Sequence, residues 1–294
     1  MKQKNTRLKI EKSQKLITLN HSLTYIREKG QKGGHSMKKV LETIKAVLFT
    51  IWLIIGFFGV VIVYGSYVLI KANILEKRKG AKASQEYIRT VVSWFGKVTF
   101  KFLNSKISVY GEKNIPQEGP YVIVANHQSI FDIPLILGYI YPTAFIAKKE
   151  LSMIPILGSF IKRLGSILID RSNVKSGAIA LKKFAKLSQS GEIISLFPEG
   201  TRSLDGQVGE FKKGTLLIPF RYNLKILPVT IDGTINMSKK GSLFIKPSNI
   251  NLFIHEPVEP KHFASEGELR ECLKSIISGK VISEAQLALK ETRT

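Results

Sequence analysis

Residues 121–132 read YVIVANHQSIFD and combine an apolar strand, a polar loop and the start of a helix. The run Tyr121–Ala125 is short, apolar and rich in β-branched residues, which is typical of a strand buried on both faces. The polar stretch Asn126–Ser129 follows it, and a helical pattern begins near Ile130. A strand that leads directly into a helix is the repeating unit of α/β folds.

The same alternation continues through most of the chain. Six further strand-like runs are found at 107–110, 143–147, 166–169, 192–197, 225–231 and 251–255, and helical patterns lie near 151–164, 175–189 and 214–222. We therefore predict an α/β fold with a mainly parallel sheet flanked by helices. Functional sites on such sheets lie in the loops at the carboxyl ends of the strands.

The loop that follows the first of these strand ends carries His127 and, five residues later, Asp132. Across a strand-to-helix turn, the carboxylate can fold back to the imidazole, fix its tautomer and make it a general base. Backbone N–H groups after Asn126 could stabilise an oxyanion. Two alternatives stay open: Ser129 and Asp132 fit a capping box, and a histidine at a strand end can be purely structural.

Two other strand ends are also polar. The run GSILIDR (165–171) brings Asp170 and Arg171 to the end of a strand, and FPEGTRS (197–203) follows another. An arginine can hold a phosphate through two hydrogen bonds, and Glu199 beside Arg202 offers an acceptor for ligand hydroxyls next to a phosphate donor. A plain surface ion pair is the alternative for Asp170 and Arg171.

The N-terminal part has a different character. The uncharged stretch Ala46–Ile70 is 25 residues long, more than the about 20 that a membrane-spanning helix needs. We predict a membrane helix here. The following stretch Gln85–Leu103 fits either an amphipathic helix at the membrane interface or an ordinary helix packed on the next domain.

Charge and cysteine content narrow the possible partners. Lys and Arg total 45 against 22 Asp and Glu, a net charge of +23, which indicates a polyanionic partner such as lipid, nucleic acid, an acidic carrier protein or a phosphorylated substrate. Residues 1–36 contribute +7 of this charge, and Met37 is a candidate for the true start.

The single cysteine, Cys272, gives no sign of an oxidising compartment. The histidines show no metal-binding spacing, and we expect no metal and no cofactor.

Four motifs, NHQSIFD, GSILIDR, FPEGTRS and KILPVTI, occur in this order. Together they resemble the glycerolipid acyltransferases, specifically the bacterial 1-acylglycerol-3-phosphate acyltransferases, over about residues 105–235. The sequence departs from the family pattern mildly, at Leu168, where the family often has Phe. The resemblance implies that His127 and Asp132 are catalytic. It also assigns substrate binding to a second set of residues: Arg171, Glu199, Gly200, Thr201 and Arg202.

The resemblance further implies transfer of an acyl group from acyl-carrier-protein or coenzyme A thioester to lysophosphatidic acid, which gives phosphatidic acid. We expect a cell-membrane protein that contacts phospholipid, with its catalytic domain on the cytoplasmic side, and no nucleic-acid partner. Alternatives are glycerol-3-phosphate or another lysolipid as acceptor, or a non-enzymatic membrane-anchored protein that binds anionic lipid or nucleic acid. The predicted segments are a basic extension (1–36), a membrane-anchoring part (37–104), the acyltransferase domain (105–260) and a C-terminal helical segment (261–294).

Overall fold

The computed structural model describes residues 2–170, 173–242 and 244–279. Within these ranges, the side chains of some helical residues are not described; they are those of 2–39, 46, 49, 50, 53, 54, 57, 58, 60, 61, 174 and 175. The chain separates into two compact units, residues 1–56 and 57–294. The second unit contains the whole sheet.

Seven strands and seven α-helices follow one another along the described chain. The strands are β1 (Lys106–Tyr110), β2 (Val122–Ala125), β3 (Ala144–Lys148), β4 (Ile167–Ile169), β5 (Ile194–Leu196), β6 (Ile226–Asp232) and β7 (Asn249–Ile254). The α-helices are α1 (Lys2–Phe102), α2 (Asp132–Tyr139), α3 (Leu157–Arg163), α4 (Val174–Gln189), α5 (Leu217–Arg221), α6 (Thr234–Met237) and α7 (Glu266–Ser278). Helix α1 is broken at Gly80, where φ is 87°.

The seven strands form one sheet in the order β1-β7-β6-β2-β5-β3-β4. Neighbouring strands are parallel everywhere except between β6 and β7. The predicted α/β fold with a mainly parallel sheet is therefore confirmed. Strand β2 lies between β6 and β5, so the loops that follow these three strands meet at one edge of the sheet.

The sheet is buried on both faces, as the apolar strand sequences predict. All four residues of β2 are buried, and β6 is buried over its first six residues. A core cluster on one face joins β-strand residues with Phe184 of α4, Ile218 of α5 and Leu273 of α7. The helices therefore shield the sheet from water and leave its carboxyl edge free to carry polar loops.

The helix predicted over 151–164 is divided in two. A short 3-10 helix covers Lys149–Met153, and α3 begins only at Leu157. Pro155 explains the division, because a proline disfavours helical backbone in the residue before it and has no N–H to donate. Ile154 is extended accordingly, with ψ of 121°.

The C-terminal part of α1 packs on protein. Ile88 and Val92 are buried together with Leu164, in a cluster that also contains Val68 and Ala72. Of the two interpretations of Gln85–Leu103, the structure therefore favours a helix packed on the following domain over one buried in a membrane interface.

The predicted membrane helix Ala46–Ile70 lies partly outside the described residues, since nine of its side chains are not described. Among the residues that are described, no helix is both long enough and apolar enough to span a bilayer. The prediction of a spanning helix therefore has no support from this part of the structure.

Helix α1 and helix α2 approach each other closely at two glycines. A Cβ atom on Gly96 would lie 2.4 Å from the Pro134 carbonyl oxygen, and one on Gly138 would lie 2.8 Å from the Lys97 backbone nitrogen. Both distances are far below a normal contact, so the two backbones can touch only where side chains are absent. This contact fixes α2, whose first residue is Asp132.

We predict that Gly96→Ala lowers the free energy of unfolding by about 1–3 kcal/mol, because the added methyl group overpacks the contact between the helices. Thermal or urea unfolding measures the effect. Gly177→Ala in α4 is the matched control: no atom of the described residues lies within 4 Å of its Cβ position. That variant should gain about 0.5–1 kcal/mol, since alanine favours a helix over glycine. Equal behaviour of the two variants would contradict the close contact.

Candidate active site

The functional loops converge at the carboxyl edge of the sheet, around the end of β2. His127 follows β2, Glu199 follows β5 on one side, and Thr234 follows β6 on the other. Because β2 is hydrogen-bonded to both neighbours, the loop that carries His127 is held from two sides.

His127 and Asp132 are in direct contact. The distance between His127 Nδ1 and Asp132 Oδ2 is 2.7 Å, and the Asp132 side chain is completely buried. A carboxylate can only accept here, so Nδ1 carries the proton and the neutral ring keeps its lone pair on Nε2. Nε2 has no hydrogen-bond partner among the described residues. The His127 side chain is 16% exposed, so part of the ring is accessible from outside.

Asp132 accepts hydrogen bonds from several donors at once. Its Oδ2 also receives the backbone N–H groups of Gln128 and Ser129, at 2.7 and 2.8 Å. The capping alternative is thus true in part, because Asp132 serves these backbone amides as well as the imidazole. The two amides are engaged and are not free to stabilise an oxyanion, which corrects the expectation for the N–H groups after Asn126 at these two positions.

Aromatic packing fixes the plane of the imidazole. The ring of Phe197 stacks on His127 with centroids 4.0 Å apart and an angle of 14° between the planes, and Phe145 stacks on Phe197 in turn. One face of the histidine is therefore covered, and the ring cannot rotate freely about its side chain. Asp132 binds the Nδ1 edge and Phe197 covers one face, so the Nε2 edge is the part of the ring that neither residue contacts.

Glu199 supports the same loop from β5. Its Oε1 accepts the backbone N–H of His127 at 2.7 Å, and its Oε2 accepts that of Gly209 at 2.9 Å. The residue is 5% exposed. Burial raises the pKa of Glu199, and the two backbone donors act in the opposite direction. Its predicted contact with substrate stays a prediction, but in this structure both oxygens bind backbone.

The residues after Glu199 form an exposed cationic turn. Gly200 has a φ of 67°, and a Cβ on it would lie 3.1 Å from Lys212 Nζ, so the lysine lies against the turn. Lys240 Nζ donates to Thr201 Oγ1 at 2.8 Å. Arg202 is half-buried as a residue, and among the described residues its guanidinium has no hydrogen bond or ion pair. We call Arg202, Lys212 and Lys240 the cationic turn cluster.

The cationic turn cluster is attached to the histidine loop. The backbone N–H of Ser203, next to Arg202, donates to the His127 carbonyl oxygen at 2.8 Å. The backbone N–H of Lys212 donates to Pro198 O at 2.9 Å, which folds the loop back over itself. The loop that carries Arg202 and Lys212 therefore lies directly beside the histidine loop.

The fourth strand end is further away along the sheet. Two strands, β5 and β3, separate β4 from β2. Asp170 follows β4, and its backbone N–H donates to Ser176 Oγ at 2.9 Å. Arg171 lies outside the described residues, so its predicted role in substrate binding stays a prediction.

Two residues in this network were not predicted from the sequence. Thr234 is completely buried and donates from Oγ1 to Asp132 Oδ1 at 2.5 Å. Asn126 exchanges two hydrogen bonds with the backbone of Ile231, which ties the end of β2 to β6. For Asn126 the signal was its place between an apolar strand and His127; for Thr234 the sequence offers none beyond its position after β6. No cluster of three or more potential metal ligands is present among the described residues.

Comparison with known proteins gives a consistent result. The sequence model of the family described as Acyltransferase matches residues 106–232. A 1-acyl-sn-glycerol-3-phosphate acyltransferase of Borreliella burgdorferi is 32% identical over 192 residues, which cover 65% of this chain and 76% of that protein. A chloroplast 1-acyl-sn-glycerol-3-phosphate acyltransferase of Arabidopsis thaliana is 34% identical over 155 residues, and the chain spans only 44% of its length.

A solved structure agrees with these relatives. The crystal structure of the 1-acyl-sn-glycerophosphate acyltransferase PlsC from Thermotoga maritima superimposes with a TM-score of 0.73 at 37% sequence identity and covers 80% of this chain and 94% of that one. The fold and the histidine–aspartate site define an acyltransferase. The chain belongs to the acyltransferase family whose members include these 1-acylglycerol-3-phosphate acyltransferases.

We predict that Glu199→Gln lowers the kcat/KM of acyl transfer about 10- to 100-fold, since one backbone donor would face the new NH₂ group, a loss of about 1–3 kcal/mol. Steady-state kinetics measures it. Glu210→Gln, at a side chain that is 81% exposed and paired with Lys274, is the matched control and should leave the rate unchanged. Normal activity of Glu199→Gln would show that its backbone contacts do not matter for the site.

Proposed function

We propose that the protein transfers an acyl group from a thioester to the free hydroxyl of lysophosphatidic acid and so produces phosphatidic acid for phospholipid synthesis. The observation that carries the proposal is the contact between His127 Nδ1 and the buried Asp132, which leaves Nε2 as a base beside a cationic turn. The relatives named for this reaction and the matching PlsC structure support it.

The chemistry follows from the geometry of His127. An alcohol is far too weakly acidic to ionise near pH 7, so Nε2 takes the hydroxyl proton as the oxygen attacks the thioester carbonyl carbon. The tetrahedral intermediate then expels the thiol sulfur, and the imidazolium returns the proton to it. Asp132 holds the ring in place and offsets the positive charge that develops on it. Such base catalysis accounts for about 10²- to 10⁴-fold of the rate.

The cationic turn cluster suits the phosphate of the acceptor. Arg202 can donate two parallel hydrogen bonds to phosphate oxygens, whereas a lysine contributes a compact point charge. Lys212 and Lys240 flank the turn at Gly200 and Thr201 and add positive charge where Arg202 lies. The predicted Gly200 and Thr201 contacts with substrate are supported by their place inside this turn, and Arg171 is proposed as a second phosphate ligand.

Attachment to the cell membrane is part of the proposal. Tyr64, Tyr67 and Trp94 are exposed on α1, and the Tyr64 ring lies between the other two, with ring centroids 5.7 Å from Trp94 and 6.2 Å from Tyr67. Exposed aromatic clusters of this kind prefer the lipid headgroup region. Basic residues of the same helix, such as Lys71, Lys77 and Arg78, favour binding to anionic phospholipid. The acceptor and the product are both lipids. The chain has a single cysteine, Cys272, and gives no sign of an oxidising compartment, which agrees with a catalytic domain on the cytoplasmic side.

The proposal is tested by acyl transfer from labelled acyl-carrier-protein and coenzyme A thioesters to lysophosphatidic acid in mixed micelles, beside glycerol-3-phosphate and lysophosphatidylcholine as competing acceptors. We predict transfer to lysophosphatidic acid from at least one donor. His127→Ala should reduce the rate at least about 10²-fold, the lower bound for general-base catalysis.

The matched control for that variant is His262→Ala, which removes an exposed histidine from the short 3-10 helix Pro260–His262. It should retain full activity. Absence of transfer from both donors, or substantial activity in folded His127→Ala, would contradict the proposed function. A preference for glycerol-3-phosphate would support the same acyl-transfer chemistry with a different acceptor.

We predict that Arg202→Ala and Lys212→Met each raise the KM for lysophosphatidic acid about 10-fold or more, since each removes a charged partner of the phosphate and hydrogen bonds to charged groups contribute about 1.5–3 kcal/mol. Lys213→Met is the control, because it removes the same charge from the adjacent exposed position, whereas it is Lys212 that lies against Gly200 in the turn. An equal change in KM for Lys212→Met and Lys213→Met would indicate attraction to the membrane surface instead of a phosphate site.

A further inference from the structure

We propose that Thr234 is a positioning residue for the reaction and that its hydroxyl sets the orientation of the Asp132 carboxylate that holds His127. The inference rests on the proposed function, and it assigns a role to the loop after β6. Neither the four motifs nor the relatives' names assign a function to this residue.

The contact is short and completely shielded from water. Thr234 Oγ1 lies 2.5 Å from Asp132 Oδ1, and neither residue has any exposed surface. The other neighbour of the hydroxyl is Gln128 Oε1, at 3.3 Å, which is also an acceptor. The orientation of the Gln128 amide is fixed, because its Nε2 donates to Gly206 O at 2.8 Å and Oε1 therefore faces Thr234. The single hydroxyl proton therefore goes to the closer and more strongly charged acceptor, Asp132.

The two oxygens of Asp132 have different partners. Oδ2 receives His127 Nδ1 and the N–H groups of Gln128 and Ser129. Among the described residues, Thr234 is the one hydrogen-bond donor to Oδ1. A carboxylate can turn about its Cβ–Cγ bond, and a donor at Oδ1 opposes that rotation. Without the hydroxyl, Oδ1 would be a buried charged acceptor without a partner, which favours rotation or entry of water.

The backbone around Thr234 fixes the hydroxyl in place. Gly233 ends β6 with a φ of 95°, and a Cβ on it would lie 2.3 Å from Asn249 O, so the turn leaves room only for glycine. This turn directs Thr234 towards β2, whose end is tied to β6 by Asn126. The backbone that carries the donor is therefore positioned by the tight turn after β6, on a different segment from the loop that carries His127. We infer that the sheet itself sets the carboxylate geometry.

The prediction concerns kcat. Because Thr234 is buried behind Asp132, it does not touch the substrate, and its loss should leave the KM for lysophosphatidic acid within about 3-fold. Thr234→Val keeps the shape and removes the hydroxyl, and Thr234→Ala removes the hydroxyl with less risk of steric strain. Both should lower kcat about 10- to 100-fold, the range that corresponds to a lost hydrogen bond to a charged group. Thr234→Ser keeps the hydroxyl and should retain at least about half of the wild-type kcat.

The chain supplies a matched control four residues earlier, on the strand that leads to Thr234. Thr230 is also completely buried in β6, and its hydroxyl contacts His255 Nε2 and Ile277 O, each at 2.8 Å. Thr230→Val removes a buried hydroxyl that has no contact with Asp132. It should resemble Thr234→Val in its effect on thermal stability, yet its kcat should stay near that of the wild type.

The experiment measures kcat, KM and thermal unfolding for the wild type and the four variants with lysophosphatidic acid. A selective loss of kcat in Thr234→Val and Thr234→Ala, with recovery in Thr234→Ser, supports the inference. It is overturned if folded Thr234→Ala keeps kcat within about 2-fold, if Thr234→Ser falls equally far, or if Thr230→Val loses as much. An inactive wild type would instead overturn the proposed function, so the two failures are distinguishable.

Discussion

The buried carboxylate of Asp132 is the constraint on which the candidate active site depends. An ionised carboxylate away from water is strongly unfavourable unless donors surround it. Here the donors are His127, two backbone amides of the same loop and Thr234, which begins α6 directly after the neighbouring strand β6. The loop after β2 is therefore folded around one charge, and the imidazole is one of the groups that satisfy it.

The site is divided into a rigid buried part and an exposed cationic part. In the buried part, Asp132, Glu199 and Thr234 act on His127 or its backbone, and Phe197 covers the ring. In the exposed part, Arg202 and Lys212 lie on the loop after β5, which is tied to the histidine loop through Ser203, and Lys240 reaches Thr201 of that loop from the segment after α6. This division suits a reaction in which the base must stay in place while lipid substrates enter and leave.

The strands were predictable because their sequences carry a strong local signal. Apolar runs such as those of β2 and β6 are buried on both faces, and each was located to within about two residues. The pairing of His127 with Asp132 was predictable from their spacing across one turn. The division of the 151–164 helix follows from Pro155, a local signal that the apolar spacing of this stretch does not reveal.

The remaining contacts depend on tertiary structure. Thr234 is 102 residues from Asp132, and a threonine after a strand is common, so its role appears only when β6 lies beside β2. Glu199 was expected to face a ligand from its motif alone. Its burial and its bonds to the amides of His127 and Gly209 could not be inferred without the neighbouring loops.

The central claim is that Asp132 holds His127 with its proton on Nδ1 and leaves Nε2 free as the base. NMR of the protein with ¹⁵N-labelled histidine, recorded at a pH at which the ring is neutral, tests this directly, with His127→Ala to assign the signals. The account predicts a protonated Nδ1 in a hydrogen bond and an unprotonated Nε2. A neutral His127 ring with its proton on Nε2 would contradict it.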